Sequence, residues 1–183
     1  MSNLIDPRLT MRVGNIVSQD VDVIVNSANS NLKLGSGVSG AIHTAAGPEL
    51  EAHCVQFRPL ALGQAILTPG FRLPQQIIHV RAPKYEEDPA PEHLLEQAVL
   101  NVLALAEQNG CRTVAIPALG TGVYRFPMES AANIIVRTVI SNLRKSLALA
   151  EVRLVLASAD ALGTFEQIFR LNAHTASRRF NDR

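Results

Sequence analysis

At 183 residues, with 47% hydrophobic and 18% charged side chains, the chain has the composition of one compact domain with a sizeable core and not that of a disordered segment. A formal net charge of +1 excludes general electrostatic attraction to nucleic acid or to an acidic membrane, so an anionic ligand must be captured by local geometry. No apolar run reaches membrane-spanning length, and the opening MSNLIDPRLT lacks the basic and apolar regions of a signal peptide.

In chain order, LTMRVGNI and VDVIVNS read as two early strands, the second so apolar that burial on both faces is expected. A glycine-rich loop follows, then helical sequence from about Val38 to Phe57, interrupted near Gly47-Pro48. GQAILTPG and QQIIHVRAP read as strands joined by a turn at Pro69-Gly70 and Pro74. Pro89 and Pro91 lie near the start of a helix through LLEQAVLNVLALAEQ that stops at Asn109-Gly110. RTVAIPA is a further strand, followed by the loop LGTGVYRFP and by the helix MESAANIIVRTVISNLRKSLALA, with Pro127 in its first turn. VRLVLAS is the last strand and ALGTFEQIFRL the last helix, and the polar end NAHTASRRFNDR is expected to fray. No repeat or linker interrupts this order, which predicts a single α/β domain over 1–183 with a core of about 9–171 and a tail at 172–183. Its central sheet should be mostly parallel and covered by helices on both faces. Cys54 and Cys111 have no metal-ligand spacing and read as reduced, partly buried thiols, which makes a cytoplasmic setting the default expectation.

The stretch GSGVSG, Gly35 to Gly40, spells the G-x-G-x-x-G of a dinucleotide-binding turn. Its context is wrong for that role. Nine residues, NSANSNLKL, separate the apolar strand from Gly35, and the acids near the ribose-ligand spacing, Glu49 and Glu51, fall in helical sequence. What remains is a glycine-rich approach to a helix N-terminus, where free N–H groups suit a phosphate. The alternative is a loop that simply needs positive φ angles. A second glycine loop, Gly120-Thr121-Gly122, also lies between a strand and a helix, and the pairing favours an anion site in a crevice at the strand ends.

The runs VGNI, VNSAN, the glycine segment with AIHTAAGPEL, and IPALGTGVY together resemble the macrodomains, the family that binds ADP-ribose. The resemblance covers about Leu9 to Leu171. It implies a three-layer α/β/α sandwich around a mixed, mostly parallel six-stranded sheet. It also implies ADP-ribose or an ADP-ribosylated protein as partner, with no metal, cofactor, membrane or nucleic acid required. Position by position, Asn15 and Ile16 would lie beside the adenine, and Asn26 and Asn29 match the family's paired asparagines. Gly35, Gly37, Val38, Ser39 and Gly40 would wrap the distal ribose and one phosphate. Gly120, Thr121, Gly122, Val123 and Tyr124 would hold the other side of the diphosphate, with Arg125 closing that loop. Asn29, Ser39 and Tyr124 are the residues the resemblance puts near the reacting centre, Asn29 orienting water.

Three departures from the family pattern bear on chemistry. Asn15 replaces an adenine-binding aspartate, which removes charge assistance from that hydrogen bond. Ser39 stands where the hydrolytic branch most often carries an aspartate, and a hydroxyl is a poor general base near neutral pH. Arg125 occupies a position commonly held by a small residue. It could reach the diphosphate, narrow the ribose pocket, or lie solvated on the surface. The resemblance therefore implies an ADP-ribosyl hydrolase or O-acetyl-ADP-ribose deacetylase, with a non-catalytic reader of ADP-ribose or a related nucleotide as the alternative. His43 and His79 read as structural, the second as a satisfied core residue.

Overall fold

A computed structural model describes residues 6–181; residues 1–5, where the segment read for a signal peptide begins, and residues 182–183, the end of the tail, lie outside the described residues. Six strands form one sheet: β1 (Leu9–Val13), β2 (Val23–Ser27), β3 (Ala65–Thr68), β4 (Gln76–Val80), β5 (Thr113–Pro117) and β6 (Glu151–Leu156). Five helices surround them: α1 (Gly37–Ala46), α2 (Pro48–Cys54), α3 (Pro91–Gln108), α4 (Met128–Leu143) and α5 (Ala159–Asn181). The sheet order is β1-β6-β5-β2-β4-β3, parallel throughout except for the β3–β4 hairpin at one edge. It is the mixed, mostly parallel six-stranded sheet expected from the sequence.

Alternation along the strands divides the core in two. Val23 and Val25 of β2 face one side with Val114 and Ile116 of β5, where Val99, Val102, Ile135 and Phe165 from α3, α4 and α5 cover them. Ile24 and Ala115 face the other side, against Ile42, Leu50 and Cys54 of α1 and α2. Because both faces of β2 are covered, its apolar run needs no polar residue until Asn26. Each fully buried leucine or isoleucine in these layers is worth about 1.5–3 kcal/mol of transfer free energy.

Two local differences from the sequence reading, at the ends of β1 and α4, have physical causes. β1 ends at Val13 because the Asn15 side chain caps a short 3-10 turn at Ile16–Ser18, accepting from the Val17 N–H at 3.2 Å. The helical sequence after Val38 breaks at Gly47 (φ 91°), as the sequence predicts, with Pro48 restarting it as α2. α4 stops at Leu143 and not at Ala150, because Arg8 takes the carbonyl of Leu143 and that of Ser146 (2.8 Å) and folds the segment back so that Leu149 is buried. The end read as frayed continues α5 to Asn181. Among the described residues, no helix is long and apolar enough to cross a membrane.

Candidate functional site

β2 and β5 are parallel neighbours whose following helices go to opposite faces, α1 to one and α4 to the other. Such a switch point opens a crevice at the strand C-termini. Here it is a cleft of about 380 Å³ running over the ends of four strands: Gly14 and Ile16 after β1, Val155 and Ala157 at β6, Pro117 and Ala118 at β5, and Ser27 at β2. The two glycine loops form its long walls. Among the described residues that line it, none carries a charged side chain.

The first wall is the segment from Asn29 to Ser39. Asn29 lines the cleft, and its amide folds the loop on itself: Oδ1 accepts from Asn31 N–H and Lys33 N–H (both 3.1 Å), while Nδ2 donates to the Lys33 carbonyl (2.9 Å). Leu32, fully buried, pins the loop to the layer beneath. Gly35, Gly37 and Val38 line the cleft at the start of α1, whose N-cap Ser36 makes no side-chain capping bond, so the first-turn N–H groups keep their donors for the cleft. Gly40 faces inward; a Cβ there would lie 2.7 Å from the Gly35 carbonyl oxygen, so the loop packs directly on the helix backbone. Ser39 is buried at the cleft wall, and its Oγ has no hydrogen-bond partner among the described residues.

The second wall is held mainly by backbone. Gly120 adopts φ 79°, Thr121 Oγ1 donates to the Ala118 carbonyl (2.7 Å), and the Phe126 N–H returns to the Gly120 carbonyl (2.9 Å). Gly122 and the exposed Val123 line the mouth. The Tyr124 hydroxyl donates to the Ala28 carbonyl at 3.2 Å and ties this loop to the end of β2. Burial raises the Tyr124 pKa, so the phenol stays protonated and acts as a donor and brace, not as a base near neutral pH.

Asn26 lies elsewhere. It is fully buried on the lower face of β2 and bonded to His79 Nδ1 (3.0 Å), its register partner on β4. With Nδ1 accepting, His79 Nε2 carries the proton and donates to Thr68 Oγ1 (3.1 Å), which donates on to the Pro69 carbonyl (3.1 Å). Burial pushes the His79 pKa down to about 3, which fixes the neutral ring that this chain of bonds requires. The family's paired asparagines thus part: Asn29 is at the cleft and Asn26 in the core beneath.

Asn15 and Arg125 also stand off the lining. Asn15 spends its side-chain oxygen on the capping bond to Val17, while its neighbours Gly14 and Ile16 reach the cleft. Arg125 is 78% exposed, 3.8 Å from Glu86, and adopts φ 55°, a left-handed conformation that favours glycine. Its guanidinium is on the surface. Sequence reasoning missed Gly14, Ser27, Ser36, Pro117, Ala118, Val155 and Ala157 as lining residues. Their signal was present, since most are small residues at or just after the ends of predicted strands.

Comparison with known proteins fits this architecture. A family model described as Macro domain matches residues 25–135, which include both glycine loops. An O-acetyl-ADP-ribose deacetylase of Escherichia fergusonii is 45% identical over 138 residues, 72% of this chain and 78% of that protein. A macrodomain of Oceanobacillus iheyensis, solved with ADP, superposes with a TM-score of 0.86 at 34% identity, covering 90% of this chain and 91% of that one. The Trypanosoma brucei macrodomain in complex with ADP-ribose gives a TM-score of 0.85 at 30% identity, over 91% of this chain and 71% of that one. The matched model spans the strand–loop–helix unit and both cleft walls, and the chain belongs to the macrodomain family.

Proposed function

We propose that this protein, acting as a single domain, binds ADP-ribose in the cleft and hydrolyses an ester on its distal ribose. The substrate is O-acetyl-ADP-ribose or a protein modified on an acidic side chain. The observation that carries this reading is the pair of glycine loops facing each other across a cleft with no charged side chain, one of them opening onto the uncapped start of α1. A diphosphate there meets backbone N–H donors and the positive end of a helix. The names and ligands of its relatives support the same ligand class. In the reaction, water oxygen adds to the acyl carbon and the bond from that carbon to the ribose oxygen breaks. The ribose oxygen leaves and takes one of the water's protons, the acyl group becomes a carboxylate, and the second proton passes to solvent. Asn29 and Tyr124 are committed to bracing the walls, so the water falls to the lining hydroxyls of Ser27, Ser36 and Ser39, of which Ser39 lies deepest in the wall. A cytoplasmic, reducing setting suits the two free thiols, Cys54 and Cys111.

A second reading, a non-catalytic reader, is favoured by one specific observation: no carboxylate or histidine lines the cleft among the described residues. Calorimetry with ADP-ribose, AMP and NAD tests the ligand class, and absence of ADP-ribose binding refutes both readings. Chromatography of O-acetyl-ADP-ribose and of a mono-ADP-ribosylated protein then separates them. Release of acetate or free ADP-ribose identifies a hydrolase, and binding without turnover identifies a reader.

A further inference from the structure

The first glycine loop is anchored from behind by a residue outside the cleft. Its early part is tied down by buried Leu32 and by the Leu60 N–H, which donates to the Ser30 carbonyl at 2.8 Å. Its late part, which becomes the cleft wall, has a different support. The Leu34 side chain is 57% exposed and anchors nothing, but the Leu34 N–H donates to Glu51 Oε2 at 3.1 Å. Glu51 belongs to α2, a helix that buries Leu50 and Cys54 and so holds the Glu51 backbone firmly. The bond spans 17 positions of sequence and bridges two elements.

The other oxygen of Glu51 faces Arg58, whose Nη2 lies 3.5 Å from Oε1. Arg58 Nε and Nη2 are buried and have no hydrogen-bond partner among the described residues. A half-buried guanidinium with two nitrogens out of solvent favours a carboxylate beside it, so Arg58 orients the Glu51 charge. The Glu51 pKa is lowered first by the Leu34 bond and then by the Arg58 charge, consistent with a carboxylate that serves both. Both residues line an open hollow of about 570 Å³ behind α1, with Arg72 at its edge. Neither lines the cleft.

We propose that Glu51, oriented by Arg58, is a positioning residue for the ADP-ribose cleft: it holds the Leu34 amide so that Gly35 to Gly37 present their N–H groups to the bound diphosphate. This rests on the ADP-ribose reading, but the strut itself does not. Two variants test it. Glu51→Ala removes the acceptor, and Glu51→Asp keeps the charge facing Arg58 while withdrawing the carboxylate from Leu34. Glu49→Ala is the control, because Glu49 is on the same helix and pairs only loosely with Arg72 at 3.8 Å. In both Glu51 variants the Leu34 amide should exchange with solvent at least tenfold faster by NMR, and ADP-ribose should bind about tenfold more weakly by calorimetry. Glu49→Ala should change neither. Unchanged Leu34 exchange in a folded Glu51 variant overturns the proposal, and so does unchanged ADP-ribose affinity where the wild type binds. If the wild type itself fails to bind ADP-ribose, the functional reading falls, while the exchange measurement still decides whether the strut exists. Should Glu51→Ala fail to fold, Glu51→Asp carries the same test.

Discussion

The two walls of the cleft share a glycine signature and a buried apolar anchor but differ in the polar groups that fasten them. The first relies on side chains that reach backbone groups, the Asn29 amide and the carboxylate of Glu51 from α2, beside buried Leu32 and the Leu60–Ser30 backbone bond. The second is held by its own backbone turns and by buried Leu119 and Phe126, with Thr121 bonded locally and Tyr124 tied to Ala28 through its hydroxyl and to the Tyr85 N–H through its carbonyl. Their glycines differ accordingly. Gly40 is required because no Cβ fits against the Gly35 carbonyl, whereas Gly120 is required by its positive φ and Gly122 has open space around it. One letter in the sequence therefore stands for three physical situations.

The sharpest way to break this comparison is at Gly40. Helix propensity alone would favour alanine there by about 1 kcal/mol. The 2.7 Å approach to a backbone oxygen reverses the sign, and Gly40→Ala should cost about 2–3 kcal/mol in urea unfolding.

Acid comes next, because above pH 5 it acts on the two buried histidines, His79 and His43, that lie under the first wall and α1. His79, bonded to Asn26 at the end of β2, titrates near 6.5 when unfolded and near 3 when folded. The unfolded chain therefore takes up the proton first, so full stability holds above pH 6.5 and is lost as pH falls toward 3. By pH 5 this amounts to about 2 kcal/mol, and His43, also lowered by burial, adds in the same direction. Urea titrations between pH 7.5 and 5 on the wild type and on His79→Gln check it; the variant should lose most of the slope.

Within the second wall, Gly120→Ala should cost about 1–2 kcal/mol through its left-handed backbone. Gly122→Ala should leave thermal stability within about 0.5 kcal/mol and act only on ligand affinity. Equal effects at the two glycines would remove the distinction between them. Tyr124→Phe deletes one hydrogen bond to the Ala28 carbonyl and should cost about 1 kcal/mol, read as a lowered urea midpoint.

Much of the fold was legible because it follows from period and punctuation. The alternation of β2 across the two cores, the break at Gly47-Pro48 and the helix of Pro91–Gln108 all appear where the apolar pattern and the breakers put them. The site was legible as motif positions but not as side-chain directions. Asn26 and Asn29 are three residues apart on a strand and the turn after it, and only the strand's facing decides that one enters the core. Glu51 could not have been found from pattern at all, because its partner is an amide 17 residues away that carries no sequence signature. The conformation of Arg125 was hidden for a related reason: a positive φ on a non-glycine residue reflects the loop's closure, not the residue's preference.

The lining of the cleft, free of charged side chains, also decides what kinds of experiment can see it. An anion held there is met by amide dipoles that do not titrate and that no side-chain truncation removes. Its affinity should therefore vary little with pH between 6 and 9, and only weakly with salt. An alanine scan of the lining would return mostly small effects even on a tight complex. Backbone substitution, such as replacing the peptide N–H of Val38 by an ester oxygen, is the perturbation that reaches the groups in question.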